Sequence, residues 1–316
     1  MKTVLAPRAS AILYDLIRSQ NNKRPFLLPA NICPIVPLTF FKAKVPFEFV
    51  DISPRTLHMD LEQVEERLRK NQPGYRGLLY AHTYGDPFTP QEFFKTIKQH
   101  FPKLLIIDDR CLCIPQLESD LSWSADANLF STGYSKIVDL GFGGFAFISD
   151  DLIYEHESLP FLSKDLETIE ETYKQTLAPH ERNFYSDSDW LETDSQLPTW
   201  RDFAERVATS REVSLEHRKS INAVYTELIP EEFRLADKYQ LWRFNVRVPN
   251  KVATLAAIFD AHLFASSHYS SLSDIMGTVR SPFAEQLAQV TINLFNDRHF
   301  TLDMAERTAH IVLGSL

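Results

Sequence analysis

Two periods of apolar and polar residues take turns along this chain. Ile12, Leu13, Leu16 and Ile17 recur at helical spacing and predict a helix over residues 8–21. Phe26-Leu-Leu-Pro29 is a short apolar run, read as a strand stopped by its proline. Phe47-Glu-Phe-Val-Asp51 predicts another strand, ended by Asp51-Ile-Ser-Pro54. Asp60 to Lys70 reads as a charged amphipathic helix, Gly77 to His82 as a strand, Pro90 to His100 as a helix, and 104–108 as a strand. Strands alternating with helices of about ten residues predict βαβ units, a mainly parallel sheet with helices on both faces.

Beyond Asp150 the rhythm changes. Residues 151–195 are acidic, aromatic and irregular, with helix expected at 164–176. Residues 200–227 read as one long helix rich in Arg and Glu. Trp242 to Val248 alternates as a strand. A helix at 251–261, strands at 263–266 and around 290–294, and a closing helix at 301–313 complete the expectation. The expected division is a large α/β domain over 1–155, followed by connecting helices and a smaller α+β domain over 156–316. At 316 residues, about two domains is also the prior from length.

Composition narrows the function classes. Hydrophobic residues make up 44% and aromatic residues 12% of the chain, enough for a large core and too many for disorder. Net charge is −9 with no basic run, which argues against nucleic acid or an anionic membrane as partner. The apolar stretches are too short to span a bilayer. The first eight residues lack the apolar core of a signal peptide, so the expectation is a soluble cytoplasmic protein. Cys33, Cys111 and Cys113 make no disulfide framework. Cys111-x-Cys113 is expected to put two thiols on one side of an extended segment. No second ligand pair lies nearby in sequence, so the thiols read as buried and reduced rather than metal-binding.

The chemistry concentrates around one lysine. The chain has 9 glycines, where average usage would give about 22. Four of them, Gly133, Gly141, Gly143 and Gly144, bracket Lys136. Glycine serves where backbone turns through positive φ or approaches another group closely. Upstream, Leu104-Leu-Ile-Ile-Asp-Asp109 reads as a buried strand ending in two carboxylates. A strand-end acid followed by a loop lysine is what pyridoxal phosphate (PLP) needs. Its aldehyde is held by an amine, its pyridine nitrogen by a carboxylate, and its phosphate by hydroxyls, amides or an Arg at a turn or helix start. Lys136, Asp109, and Ser131 with Ala6-Pro7-Arg8 suit those three tasks in turn.

Taken in order, these segments resemble the DegT–StrS family of PLP-dependent nucleotide-sugar aminotransferases, which have fold type I. Leu28-Pro29 followed by Phe49-Val-Asp-Ile-Ser-Pro54, His82-Thr-Tyr-Gly-Asp-Pro87 and Ile106-Ile-Asp-Asp109 are similar to that family's successive motifs. So are Ser131-x4-Lys136 with Gly141-Phe-Gly-Gly144, the segment His268-Tyr-Ser-Ser-Leu272, and Ile292-Asn-Leu294. The resemblance implies an α/β fold type I transferase with a parallel-sheet large domain and a smaller C-terminal α+β domain. It implies PLP as cofactor, Lys136 as Schiff-base residue and proton shuttle, and Asp109 against the pyridine nitrogen. Ser131 and Arg8 would hold the phosphate. It also implies a nucleotide-linked keto sugar and an amino donor as substrates, and a homodimer.

The chain departs from the family at several points. Cys33 stands where an aromatic ring would stack on the cofactor, and Leu112 where a Gln or His would bond to it. Ala6-Pro7-Arg8 replaces the Ser-Gly-Thr phosphate turn, and the first helix begins nearer to residue 1 than in the family. These departures are expected to loosen the cofactor. They keep open a second reading, a member that retains the fold as a structural or regulatory subunit without efficient transamination. A PLP lyase or dehydratase is a weaker third, because sugar dehydratases of this fold replace the lysine by His. Without the resemblance the same residues have plainer readings. Lys136 would be a surface lysine, Asp108 and Asp109 strand-end caps, and His82 a core histidine. Phe184, Tyr185, Trp190 and Trp200 would be core or interface rings, and His268 and Tyr269 loop residues.

Overall fold

The computed structural model describes residues 1–20, 23–70, 74–120, 123–177, 182–183, 185–277 and 279–316. Two residues of the sequence reading, Asn21 at the end of the first helix and Phe184, lie outside them.

Strands β1 (Lys2–Ala6), β2 (Phe26–Pro29), β3 (Phe47–Val50), β4 (Gly77–Ala81), β5 (Leu105–Asp109), β6 (Ala127–Ser131) and β7 (Gly144–Ile148) form one sheet. Its order is β1-β7-β6-β5-β4-β2-β3. From β6 to β3 the neighbours are parallel, and β7 is antiparallel to both β6 and β1. Helices cover both faces. On one side α1 (Ala9–Ser19) and α2 (Ile35–Lys42) pack against Phe26, Leu28, Leu79 and Ile107. On the other, α3 (Leu61–Lys70) and α4 (Gln91–His100) pack against Leu27, Leu78, Tyr80 and Ile106. Alternate residues of each strand thus enter different cores, as the period of two demands. This is the α/β architecture that the helix–strand rhythm predicts, and predicted elements fall within a few residues of the observed ones.

Downstream come α5 (Ser163–Leu177) and the long α6 (Trp200–Leu228). A three-stranded sheet follows, in the order β8-β10-β9, from β8 (Phe244–Arg247), β9 (Ala265–Ser266) and β10 (Thr291–Leu294). The helices α7 (Lys251–Asp260), α8 (Pro282–Val290) and α9 (Leu302–Leu313) lie between and after these strands. Ile221 and Tyr225 of α6, Ile258 of α7 and Ala305, Ala309 and Val312 of α9 close a second core on Phe244, Val246, Ile292 and Leu294.

Five elements escaped the periodicity: β1, β6, β7, α2 and α8. The strands β6 and β7 are buried at every position, so neither carries the alternation of a half-buried strand. In α2 the run Ile-Val-Pro-Leu-Thr-Phe-Phe is apolar almost throughout, so no polar face marks a helical period. The expectation for Cys111 and Cys113 is corrected. Residues 111–113 form a turn, closed by Cys113 N–H donating to the Arg110 carbonyl at 2.9 Å. The two thiols therefore diverge.

Polar groups tie the two sheets together. The Asp51 carboxylate, at the end of β3, accepts the N–H groups of Ile52 at 2.8 Å, and of Phe283 and Ala284 at 3.0 Å each. It thereby caps α8, whose own Ser281 offers no side-chain cap. Asp86, buried after β4, is bonded by His58 Nε2 at 3.1 Å, by Lys238 Nζ at 2.8 Å and by the Phe88 N–H at 3.0 Å. Burial works against the Asp86 charge, but His58, Lys238 and that N–H outweigh it and hold the carboxyl well below its ordinary range.

Two substitutions test this framework. A Cβ on Gly144 would lie 2.1 Å from Ala9 N, 2.4 Å from Ala9 Cα and 2.5 Å from the Arg8 carbonyl carbon, all backbone. Gly144→Ala is expected to cost about 3 kcal/mol in thermal unfolding. Gly133→Ala, whose Cβ would meet only Ser131 Oγ at 3.6 Å, should change stability by less than about 0.5 kcal/mol. Equal melting of the two variants would refute the close approach. Asp86→Asn should cost about 3 kcal/mol at pH 7, because it strips Lys238 and His58 of their partner. A carboxyl with a lowered folded pKa stabilises above its unfolded pKa of about 3.9 and loses that contribution as pH falls through the folded value. The gap between wild type and Asp86→Asn in denaturant titrations should therefore narrow below about pH 4. A gap constant down to pH 2 would contradict the assignment.

Candidate active site

Lys136 sits on the connection between the antiparallel strands β6 and β7, whose ends pair Ser131 with Gly144. The loop is pinned from within. Thr132 N–H donates to the Gly143 carbonyl at 2.9 Å, and Leu140 N–H to the Thr132 carbonyl at 2.8 Å. The Asp139 carboxylate accepts the N–H of Ser135 and of Gly141, both at 2.9 Å. Gly141 and Gly143 take φ of 78° and 95°, where a side chain would strain the turn. Gly143 N–H donates to the Pro7 carbonyl at 2.7 Å.

The same loop is pinned from outside by three successive carbonyls. Trp242 Nε1 donates to the Ser135 carbonyl at 2.7 Å, Arg218 to the Lys136 carbonyl at 3.0 Å, and Ser214 Oγ to the Ile137 carbonyl. Ser214 and Arg218 are one turn apart on α6. Arg218 is 1% exposed and also donates to the Trp242 carbonyl at 2.7 Å and to Asn296 Oδ1. Burial, with Arg243 adding to it, lowers its guanidinium to about 10, which leaves it charged at neutral pH.

A cavity of about 280 Å³ opens in front of this loop. Lys136, Asp109, Ser131 and Arg8, from four separate segments, all line it. Lys136 Nζ has no hydrogen-bond partner among the described residues. Asp109 accepts the Cys111 N–H at 3.0 Å. Ser131 Oγ accepts the Gly133 N–H at 3.3 Å. Arg8 precedes α1 and pairs through Nε with Glu192 at 3.0 Å. Ala9 and Ser10, in the first turn of α1, also border the cavity. N–H groups of a first helical turn have no intrahelical partner and attract anions.

Strand alternation separates the two carboxylates at the end of β5. Asp109 shares the α1 side with Ile107, while Asp108 turns to the side of Ile106. There Asp108 accepts or shares a proton with His82 Nε2 at 2.7 Å and lies 3.6 Å from Arg110. His82 Nδ1 meets the Asp86 carbonyl at 2.6 Å, so this histidine is a bonded core residue. Burial opposes its protonation, but the Cys113 sulfur and Asp108 beside it prevail and raise its pKa well above the ordinary value.

The cavity wall differs from expectation at one point. Cys33 lines it, but Leu112 does not; Leu112 is buried in the core. Cys111 takes the wall position, because the turn at 110–113 aims that residue inward. Burial and neighbouring Asp109 push the Cys111 thiol well up, and burial pushes up Cys33, so both stay protonated. Of the late aromatics, Trp190 borders the cavity and donates to the Tyr185 hydroxyl at 3.2 Å. Trp200 packs on Phe145 and Phe203 away from it. Tyr269 is buried and stacks on Trp242 with ring centres 5.8 Å apart; His268 beside it is exposed. The sequence reading passed over Leu166 and Glu170 of α5, which also line the cavity. Their i, i+4 spacing was the available signal, obscured by the acidic residues around them.

No protein-family model matches the sequence, and no curated protein matches it. Solved structures do. A DegT DnrJ EryC1 StrS aminotransferase from Brucella abortus is 13% identical over 99% of this chain and 86% of its own, with a TM-score of 0.68. PseC of Helicobacter pylori, an aminotransferase involved in the biosynthesis of pseudoaminic acid, is 14% identical over 100% and 86%, with a TM-score of 0.70. The sugar aminotransferase CalS13 from Micromonospora echinospora is 16% identical over 99% and 87%, with a TM-score of 0.65. At such identities the likeness is one of fold: the chain adopts the α/β fold of these aminotransferases, fold type I, along its whole length.

Proposed function

We propose that this protein is a PLP-dependent aminotransferase that places an amino group on the keto sugar of a nucleotide sugar. The observation that carries the reading is the convergence of Lys136, Asp109, Ser131 and Arg8 on one cavity. The fit is chemical as well as spatial. An unpartnered lysine amine, a carboxylate, a hydroxyl and a helix start beside an arginine are the donor set that an aldehyde, a pyridine nitrogen and a phosphate require. Gly144, where a Cβ would strike Ala9 and Arg8, lets that helix start reach the cavity. The likeness to PseC and CalS13 points the same way. The degenerate reading keeps Cys33 on the cavity wall and Leu112 off it as its grounds, but the likeness to sugar aminotransferases does not favour it.

When bound, PLP supplies an aldehyde that bonds to amines and a ring that accepts electrons. Lys136 Nζ would anchor it and carry the proton away from and back to the substrate carbon that bears nitrogen. The held carbonyls of Ser135, Lys136 and Ile137 limit where that amine can swing. Asp109 would keep a proton on the pyridine nitrogen. Ser131, Arg8 and the N–H groups opening α1 would hold the phosphate. In this reading residues 1–155 hold the cofactor and 156–316 form the connecting helices and the smaller domain. The reading includes a homodimer, as the family resemblance implies, and a cytoplasmic setting.

Absorbance tests it. Purified protein mixed with PLP should show a visible band that borohydride fixes to the chain, and Lys136→Ala should lose it. A wild-type band that borohydride leaves unchanged and dialysis removes would overturn the reading. Asp109→Asn should keep the band but slow transamination at least about 100-fold. Asp108→Asn should keep both band and rate while losing about 3 kcal/mol of stability. If Asp108→Asn were the variant that halts turnover, the strand register proposed for the site would be wrong.

A further inference from the structure

Arg8 has the phosphate task in the reading above, and one contact holds its side chain. Its Nε donates to Glu192 Oε2 at 3.0 Å. Among the described residues neither side chain has another hydrogen-bond or ion-pair partner. Arg8 lines the cavity; Glu192 does not, although Trp190 and Leu191 just before it do. The carboxylate stands beside the wall rather than on it. The two residues come from unlike segments. The Arg8 backbone is fixed at the start of α1, where its carbonyl accepts the Ala11 N–H at 3.1 Å, but a free arginine side chain there has many rotamers open to it. Glu192 belongs to a stretch tied down on both sides. Leu162 N–H donates to the Asp189 carbonyl at 2.6 Å, Asp189 N–H to the Asp165 carboxylate at 2.9 Å, and Leu159 N–H to Thr193 Oγ1 at 2.8 Å. Trp190 and Leu191 are each 1% exposed. Of the pair, Glu192 is the anchor and Arg8 the side chain it fixes.

We infer that Glu192 is a positioning residue, holding the Arg8 guanidinium ready for the phosphate group of the cofactor; the inference rests on the cofactor reading above. A guanidinium presents its N–H donors in a rigid planar fork. Glu192 takes the donor on Nε, and those of the two Nη groups remain for an anion. Because the fork is planar and rigid, fixing Nε also fixes the plane in which the Nη donors lie. Without Glu192 the side chain would have to be ordered at the moment of binding, which weakens affinity for an anion about five- to tenfold. The carboxylate also repels an incoming dianion. That repulsion is the smaller effect, because the Arg8 and Glu192 side chains are 34% and 23% exposed and solvent screens them.

Titration of cofactor-free protein with PLP and with pyridoxal, which lacks the phosphate, tests the inference in Glu192→Ala, Arg8→Ala and the double variant. Glu192→Ala should weaken PLP binding about five- to tenfold and leave pyridoxal binding unchanged. Arg8→Ala should weaken PLP at least as much, and adding Glu192→Ala to it should change nothing further, because the positioned group is gone. The inference is overturned if Glu192→Ala leaves PLP affinity unchanged or tightens it. It is equally overturned if that variant weakens PLP and pyridoxal alike, or still weakens PLP once Arg8 is removed. If Arg8→Ala itself binds PLP as the wild type does, the phosphate reading of Arg8 fails and the role of Glu192 goes with it. If the wild type takes up no PLP, the cofactor reading fails by itself, and inorganic phosphate becomes the probe. Thermal stabilisation of the wild type by phosphate that is lost in both single variants then supports the positioning role. Its retention in Glu192→Ala, or its absence from the wild type, overturns it.

Discussion

The site depends on three adjacent carbonyl groups. Ser135, Lys136 and Ile137 lie on a loop, and loops are ordinarily the most mobile parts of a fold. Here each carbonyl accepts a hydrogen bond from a different side chain, Trp242, Arg218 and Ser214. Arg218 matters most among them. Its guanidinium is buried and charged, so it must spend every donor on an acceptor, and it finds these on the lysine loop, on residue 242 and on Asn296. The long helix α6 thereby fixes the lysine loop to the start of β8 and the end of β10. The two sheets have their relative position set at the same point that positions the lysine.

A second constraint is the pleat of β5. Two consecutive aspartates cannot serve one site, because successive side chains leave opposite faces. The chain uses both faces. Asp109 meets the cavity, and Asp108 meets His82, Thr89 and Arg110 on the far side. Arg110 stands over the rings of Trp123 and Phe130, at 5.7 and 5.8 Å. The strand end is thus clamped by a charged, buried cluster behind the residue that faces the cavity. Precision at the cavity comes from bonded polar groups such as the Asp108–His82 pair, which do not line it.

Much of this was legible in the sequence, and the exceptions have physical causes. The helices α3 and α4 announced themselves because each has one wet face, as the Val64 and Leu68 stripe of α3 illustrates. Lys136 stood out because glycine is scarce elsewhere. The strands flanking it, β6 and β7, did not, since burial on both faces erases alternation. The turn after β5 was misread because Arg110-Cys-Leu-Cys113 contains no glycine, proline or asparagine to mark it. That error moved the cavity wall from Leu112 to Cys111. Glu170 was invisible because a one-dimensional reading gives an acidic helix no inside and no outside.

Asp51 ties the beginning of the chain to its end. Its carboxylate receives the N–H groups that open α8, from residues 232 and 233 positions further along. On a ribosome adding about 5–20 residues per second, those partners emerge on the order of ten to fifty seconds after Asp51. Through that interval the Asp51 carboxylate has only its local Ile52 bond among the three it holds in the complete fold. The edge of the large sheet is completed only when the last quarter of the polypeptide arrives. A chain stopped before residue 283 would keep all seven strands of that sheet and still lack the lock on its outermost one.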